Sequence, residues 1–144
     1  MDQEIHEQND RLAIMGVINR YGTTIDAADY QGLADCFTTD ALIQYGSHNE
    51  FRGGRDVAEF VRKRTTGLAV QQHLLGNHEI LLHKDRATAT TYLHATQVEQ
   101  AGAGGRVIVT GGIYRDNLAR TSSGWLITKR EMEVLWRERR KPTP

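Results

Sequence analysis

The stretch ATATTYLHATQVEQ, residues 87–100, decides the fold, because apolar and polar side chains alternate along it as they do on a β-strand. Three other stretches in the second half of the chain share this period of two, and short polar breaks separate the four. Short breaks between long strands favour antiparallel hairpins. The predicted strands are 68–82, 87–100, 106–120 and 125–136, and the break at 101–105 is rich in glycine.

The first half of the chain has the period of helices. Apolar spacing predicts a first helix from residue 5 to about residue 21, with Asp26 near its end. It also predicts helices over 27–37 and 57–64, the latter capped by Asp56, with a strand at 41–46 and a turn at 51–56. Helices followed by a long meandering sheet predict an α+β fold. In this fold three helices from the N-terminal half pack on a curved antiparallel sheet, which forms a cone that encloses a cavity.

Length, charge and cysteine content narrow the classes of protein. The 144 residues are predicted to form one domain over 1–144, with its core over about 7–136 and a flexible charged tail over 137–144. Lys and Arg number 18, as do Asp and Glu, and this zero net charge argues against nucleic acid as a partner. The single Cys36 excludes an intramolecular disulfide, and we interpret it as a small buried side chain on the second helix.

The localisation follows from two absences in the sequence. No apolar run approaches the about 20 residues that cross a membrane, so no membrane partner is expected. The polar start of the chain lacks the basic and apolar regions of a secretory signal. We therefore expect a cytoplasmic protein.

Three polar side chains form a candidate set for proton transfer. Tyr21 and Asp26 lie five residues apart near the end of the first helix, and His73 lies near the start of the first long strand. An imidazole titrates near neutral pH, and a carboxylate that bonds it fixes its tautomer. From the residues alone, Asp26 also fits a surface position at a helix end, and His73 fits a strand histidine bonded to backbone. The sequence leaves both interpretations open.

The order and spacing of several motifs resemble the SnoaL-like branch of the nuclear transport factor 2-like superfamily. The resemblance covers about residues 7–133, nearly the whole chain. The segments that carry it are RY at 20–21, IDAADY at 25–30, LADCFTTDA at 33–41, FRG at 51–53, HLLGN at 73–77, ATA at 87–89, GIYRD at 112–116 and GWLI at 124–127.

The resemblance implies a function for the candidate set. In scytalone dehydratase-like, hexachlorocyclohexane dehydrochlorinase-like and bile-acid 7α-dehydratase-like enzymes, a helical aspartate orients a strand histidine that removes a proton from carbon. Asp26 and His73 match this pair, and Tyr21 matches a helical tyrosine of the dehydratases. The chain lacks the first-helix lysine of the dehydrochlorinase, so the resemblance favours loss of water or isomerisation over loss of chloride.

The expected activity is that of a cofactor-independent lyase of the dehydratase type, or of an isomerase. Its substrate would be small, largely apolar and oxygenated, such as a polyketide or a steroid-like ring. The alternative is a non-catalytic domain of the same fold that binds a small molecule or serves as a subunit, because a fold does not fix function. No metal is expected, because His73 and His78 lie five apart on a strand and no cysteine or carboxylate triplet supports them.

Four further residues are candidate substrate contacts, and they are Tyr45, Asn77, His94 and Arg115. By alternation His94 shares a strand face with Tyr92, and that face either lines the cavity or meets solvent. A strand arginine is costly to bury unpaired, so Arg115 either forms an ion pair with Asp116 or Glu133, or donates to a substrate oxyanion.

Two more expectations concern faces of the sheet. His78 is predicted to lie on the opposite face from His73 and to be structural, if the strand is regular. The outer face of the long sheet is predicted to be apolar, with Val107, Val109 and Ile113 on it. Because such faces usually mark interfaces, we expect a homodimer or a homotrimer.

Overall fold

A six-stranded sheet and three α-helices make up the structure, which is a computed structural model and describes residues 2–142. The elements are α1 (Asp2–Asp26), α2 (Tyr30–Ala34), β1 (Phe37–Tyr45), β2 (Asn49–Arg52), α3 (Gly54–Thr65), β3 (Leu68–His83), β4 (Arg86–Glu99), β5 (Val107–Thr121) and β6 (Gly124–Arg140). A short 3₁₀ turn, Ala101–Ala103, lies in the glycine-rich break. The predicted α+β class is confirmed.

The strands follow the order β2-β1-β6-β5-β4-β3 across the sheet. The four long strands pair as antiparallel neighbours, as predicted. One pair departs from the prediction of an antiparallel sheet, since β1 runs parallel to β6 with Ile43 opposite Arg130. The parallel pair arises because β6, the last strand of the meander, lies beside β1 and runs in the same direction. This crossover contact lies between distant parts of the chain, so hairpin signals do not reveal it.

The three helices cover one face of the sheet, which we call the inner face. The buried side of α1 carries Ile14, Ile18, Tyr21 and Ile25, spaced three to four residues apart. The inward positions of β4 alternate from Ala87 to Ala95, and all of them are small except Leu93. Each large apolar side chain that is fully buried in this way contributes about 1.5–3 kcal/mol. In the described residues, 2–142, no helix is long and apolar enough to cross a membrane.

The second helix is shorter than predicted. It spans Tyr30–Ala34, and the carboxylate of Asp29 caps it by accepting a hydrogen bond from the backbone N–H of Gly32 at 2.9 Å. The carbonyl of Cys36 then accepts a bond from the N–H of Ile127 at 2.9 Å, which draws the chain into the sheet beside β6. Cys36 is fully buried, as expected, but it lies in a turn and not on a helix. Burial raises the pKa of its thiol to about 11.

The predicted turn at 51–56 is wrong in two respects. Residues Asn49–Arg52 form the short strand β2, which pairs with β1 although its sequence does not alternate clearly. Helix α3 begins at Gly54 after Gly53, whose φ of 83° suits glycine, so Asp56 lies inside the first turn and does not cap the helix. A Cβ on Gly54 would collide with the carbonyl of Ala34, so the two helices meet closely at this point.

The tail is more ordered than predicted. Strand β6 continues to Arg140, which lies opposite Val107, so residues 137–140 belong to the sheet. The predicted flexible tail also included residues 143–144, which lie outside the described residues. The charges of this segment are compatible with a strand because most of its side chains are exposed.

Candidate active site

Asp26 and His73 meet where the end of α1 lies over β3. The Nδ1 atom of His73 lies 2.7 Å from Oδ1 of Asp26, and the backbone N–H of His73 donates to Oδ2 at 2.8 Å. The side chain of His73 is 9% exposed and that of Asp26 is 25% exposed. One carboxylate therefore holds both the ring and the backbone of the same residue.

This geometry defines the state of the imidazole ring. A carboxylate is an acceptor, so Nδ1 carries the proton in the bond to Asp26 and Nε2 of the neutral ring keeps its lone pair. In the described part of the chain, Nε2 of His73 makes no hydrogen bond. The ring therefore presents an unoccupied basic nitrogen, while its orientation is fixed from the other side.

The close approach of α1 to β3 brings the pair together. Gly22 lies one turn before Asp26, and a Cβ there would lie 3.2 Å from Cδ1 of Leu75 and 3.4 Å from Cβ of His73. The side-chain amide of Gln71 also donates to the carbonyl of Ile25 at 3.0 Å, which ties the end of the helix to the strand. A Cβ at position 22 would require the side chain of Leu75 to move by a few tenths of an ångström, so glycine suits this close contact.

The structure corrects the prediction for His78. A register shift interrupts β3 between Gly76 and Glu79, and Asn77 adopts a φ of 52° there. The extra residue turns His78 to the inner face, the same face as His73. Its Nδ1 lies 2.9 Å from the hydroxyl of Thr91, and its Nε2 lies 3.0 Å from the amide oxygen of Asn19.

Both ring nitrogens of His78 are thus used in contacts that join α1, β3 and β4. Burial lowers the pKa of His78, which favours the neutral ring. These contacts agree with the structural role predicted for His78. The prediction that His78 faces away from His73 was wrong.

A buried polar cluster lies deeper under the helices. The hydroxyls of Tyr21 and Tyr45 hydrogen-bond to each other, and both rings are buried beside Tyr114. Burial raises the pKa of all three phenols, so they remain protonated donors at neutral pH. In the residues that the structure describes, Tyr21 makes no hydrogen bond to Asp26 or His73. The predicted set for proton transfer is therefore not joined by direct hydrogen bonds from Tyr21.

Arg130 is the member of this cluster that the sequence did not reveal. It is fully buried, and two of its nitrogens donate to the carboxylate of Asp116 at 2.7 and 2.8 Å. Burial disfavours the charged form, but the carboxylate holds the pKa of Arg130 above its ordinary value. Its guanidinium carbon lies 3.9 Å from the ring centroid of Tyr114 and 4.4 Å from that of Tyr21.

One nitrogen of this guanidinium is unsatisfied. The Nη1 atom of Arg130 is buried and has no hydrogen-bond partner among the described residues. The sequence signal for this pair is weak. Two charged residues on β5, Arg115 and Asp116, lie opposite two on β6, Glu131 and Arg130. Strand alternation decides which member of the row points inward, and a register shift between Asn117 and Leu118 obscures that alternation.

The structure separates two predicted substrate contacts from His73. His94 lies opposite Leu74, one residue from His73 and on the outer face, where its ring lies 5.8 Å from that of Trp136. Arg115 also points outward and forms an ion pair with Glu133 at 2.7 Å, each side chain being half exposed. The prediction that either residue shares a site with His73 is corrected, because successive strand residues face opposite ways.

The other two predicted contacts differ from each other. Tyr45 is buried on the inner face, within the tyrosine cluster. Asn77 is exposed at the register shift of β3. The helix-covered side of the sheet therefore carries two groups, the bonded pair Asp26 and His73, and the buried cluster of Tyr21, Tyr45, Tyr114, Arg130 and Asp116.

Comparison with known proteins identifies the family. The model of the SnoaL-like domain matches residues 6–131, and the chain belongs to this family. An uncharacterized protein of Mycobacterium tuberculosis (strain ATCC 25618 / H37Rv) is 28% identical over 127 residues, which are 88% of this chain and 86% of that protein.

Two solved structures illustrate the fold. A candidate scytalone dehydratase of Novosphingobium aromaticivorans is 18% identical with a TM-score of 0.80, covering 95% of this chain and 89% of that one. A hexachlorocyclohexane dehydrochlorinase of Novosphingobium barchaimii is 14% identical with a TM-score of 0.84, covering 98% and 99%. At these identities the likeness establishes the fold, and it confirms the open, curled sheet. The family match confirms the predicted SnoaL-like branch.

Proposed function

We propose that this protein is a cofactor-independent lyase of the dehydratase type or an isomerase, with His73 as its acid and base. The observation that carries the proposal is the hydrogen bond between Asp26 and Nδ1 of His73, which leaves Nε2 as the free basic nitrogen. Family membership and the dehydratase and dehydrochlorinase among its structural neighbours support this class of chemistry.

The proton transfer follows from the state of the ring. Nε2 of His73 takes a proton from a carbon next to a carbonyl, and the electrons of that C–H bond form a carbon–carbon double bond. In a dehydration the hydroxyl on the neighbouring carbon leaves, and the imidazolium supplies the proton that makes it water. In an isomerisation the imidazolium returns the proton to another carbon of the same molecule. Asp26 stabilises the imidazolium in both cases.

Polar groups beyond the pair suit an oxygenated substrate. The bond between Tyr21 and Tyr45 uses one of their two phenolic protons, and we assign the second, which lies beside Tyr114, as the donor to a substrate oxygen. Burial keeps these phenols protonated, which preserves that donor at neutral pH. The guanidinium of Arg130, whose Nη1 is unsatisfied, stacks on the rings of Tyr21 and Tyr114, and its charge favours developing negative charge nearby. The apolar core side chains around this cluster favour binding of a small, largely apolar substrate, such as a ring or a polyketide.

The test uses two sets of probe substrates. Cyclic β-hydroxy ketones report loss of water, and β,γ-unsaturated cyclic ketones report isomerisation, both through the absorbance of the conjugated enone. We expect His73→Gln to lower kcat/KM by at least about 100-fold, within the range of general acid–base catalysis. His94→Gln is the matched control, because it removes an imidazole from the outer face of the same sheet, and it should keep wild-type turnover.

Two results would oppose the proposal. Turnover by folded His73→Gln above about a tenth of the wild-type value would exclude His73 as the base. Binding of the ketones without any turnover would favour the non-catalytic, small-molecule-binding alternative.

A further inference from the structure

A row of side chains that runs across four strands links His73 to an arginine on β6. Each member of the row lies directly opposite the next, and the members are His73 on β3, Ala95 on β4, Thr110 on β5 and Arg137 on β6. Residues directly opposite each other in antiparallel strands point to the same face of the sheet. Arg137 therefore lies on the inner face with His73, although its neighbour Trp136 lies on the outer face.

The side chain of Arg137 leans from β6 in the direction of His73. Its Nε atom donates to the hydroxyl of Thr110 at 3.1 Å, which places the two side chains on one face. Strands β5 and β4 lie between β6 and β3, so this bond turns the guanidinium toward the histidine. Within residues 2–142 the guanidinium of Arg137 makes no other hydrogen bond, which leaves its two terminal nitrogens as donors for a ligand.

The two members in the middle of the row are small. Ala95 and Thr110 are both buried, and neither side chain is long enough to fill the space above the sheet. Neighbouring strands lie about 4.8 Å apart, so three steps separate the backbones of His73 and Arg137 by about 14 Å. The imidazole and the guanidinium reach into this span from its two ends. The gap that remains is on the scale of a small ring with a short side chain.

Arg137 is a cation without a carboxylate partner. It is exposed, and within residues 2–142 it forms no ion pair. Two carboxylates lie near this end of the sheet, and both have other partners. Asp26 bonds His73 at 2.7 Å, and Glu99 pairs with Arg106 at 2.9 Å. The charge of Arg137 is therefore available to an anion that enters from solvent.

We infer that Arg137 binds a carboxylate of the substrate, an assignment that rests on the proposed function of His73 and names the substrate class of the same site. The substrate is then a cyclic ketone that carries an acidic side chain. A guanidinium binds a carboxylate through two parallel N–H···O bonds, and its planar fork fixes the direction of the ligand. Arg139 lies two residues further along the same face of β6 and adds a second positive charge.

The contact gives the site two fixed points. The carboxylate is held at Arg137, and the carbon that loses its proton lies at Nε2 of His73, so the ring between them has one orientation. The guanidinium is exposed, and salt screens exposed charges. Discrimination between an acid and its neutral ester should therefore be clear at low ionic strength and weaken as salt is added.

Isothermal titration calorimetry of the full chain with two matched probes tests the inference. The probes are a cyclohexenone that carries an acetate side chain and the methyl ester of the same compound. Both are conjugated enones, the kind of product that either proposed reaction forms, so their binding is measured without turnover. At low salt the wild type should bind the acid at least about 10-fold more tightly than the ester.

Three variants locate this preference for the acid. Arg137→Gln should bind the acid and the ester with equal affinity, and its affinity for the ester should match that of the wild type. Arg140→Gln is the matched control, because it removes the same charge from the outer face of the same strand, where Arg140 pairs with Glu138. It should keep the preference. Arg137→Lys keeps the charge without the planar fork and should retain part of the preference.

The failure of the inference can be told apart from the failure of the proposed function. His73→Gln should keep the preference for the acid, because binding at Arg137 does not require the base. A wild type that turns over no ketone but still prefers the acid would reject the proposed reaction and support the carboxylate site.

Several results would overturn the inference. The first is a wild type that binds acid and ester equally, or that binds neither at about 1 mM. The second is an Arg137→Gln variant, shown to be folded by circular dichroism, that still prefers the acid. The third is an equal loss of preference in Arg137→Gln and Arg140→Gln, which would assign the effect to net charge.

Discussion

Gly22 of α1 packs so closely on His73 of β3 that an added Cβ would lie 3.4 Å from the Cβ of the histidine. The same added atom would lie 3.2 Å from a methyl carbon of Leu75. The helix reaches the strand because position 22 has no side chain, and the carboxylate of Asp26 one turn later then reaches the imidazole. The close packing at Gly22 and the bond between Asp26 and His73 therefore lie within one turn of the same helix.

The energetic cost of crowding this contact can be measured by substituting alanine for two glycines of the same helix and comparing the free energies of unfolding. Gly16 also lies in α1, but a Cβ there would meet nothing within 4 Å. Gly16→Ala should stabilise the protein by about 0.5–1 kcal/mol, because alanine is the better helix former. Gly22→Ala gains the same propensity but crowds β3, and overpacking costs about 1–3 kcal/mol. Gly22→Ala should therefore be less stable than Gly16→Ala by at least about 1 kcal/mol in urea unfolding. Equal free energies of unfolding would show that the helix does not press on the strand.

The ion pair between Asp116 and Arg130 should be costly to break. Both side chains are fully buried, so Asp116→Asn leaves a guanidinium without its charge partner. We expect a loss of about 3–5 kcal/mol in the free energy of unfolding. Replacing both residues, as in Asp116→Leu with Arg130→Met, should cost less than Asp116→Asn alone because no charge remains buried. The comparison uses urea unfolding at neutral pH, and a loss below about 1 kcal/mol for Asp116→Asn would show that water reaches the pair.

The buried phenols make the fold sensitive to alkali. Burial raises the pKa of Tyr21, Tyr45 and Tyr114 above the ordinary value near 10. A raised pKa in the folded state stabilises the protein below pH about 10, and this contribution is lost as the pH rises above that value. The absorbance of ionised tyrosine should therefore show a late step for three of the five tyrosines, coincident with unfolding.

Two single substitutions identify the late step. Tyr114→Phe should remove about one third of it, since one of three buried phenols is lost. Tyr92→Phe should leave it unchanged, because Tyr92 is 54% exposed on the outer face. Ionisation of all five tyrosines before any loss of structure would contradict the burial of the cluster.

The long-range plan of the fold could be predicted because its signals are local. The alternation in 87–100 and in the three similar stretches predicts four long strands, and short breaks predict their antiparallel pairing. The parallel pairing of β1 with β6 could not be predicted, since it joins residues about 90 apart in sequence without a turn signal. Strand β2 could not be predicted because only one of its four residues, Phe51, is apolar.

The candidate site was predictable only to the level of residue types. The sequence identifies Asp26 and His73 as candidates by residue type, and the resemblance to a family supplies the reason to pair them. Faces were predicted less well, because a single extra residue inverts every later side chain on a strand. The register shift near Asn77 moved His78 to the inner face. Arg130 carried no sequence signal that marks it as buried. Arg115 forms the ion pair with Glu133 that the sequence left open as one of two alternatives.

The claim that Asp26 holds His73 with Nε2 free is tested most directly by long-range ¹H–¹⁵N NMR of the imidazole rings, with His73→Gln used to assign the signals. At a pH where the ring is neutral, we predict that Nδ1 of His73 carries the proton and that Nε2 is unprotonated. Asp26→Asn should weaken or reverse this tautomer, because the acceptor loses its charge. A proton on Nε2 in the wild type, or an identical spectrum in Asp26→Asn, would contradict the claim.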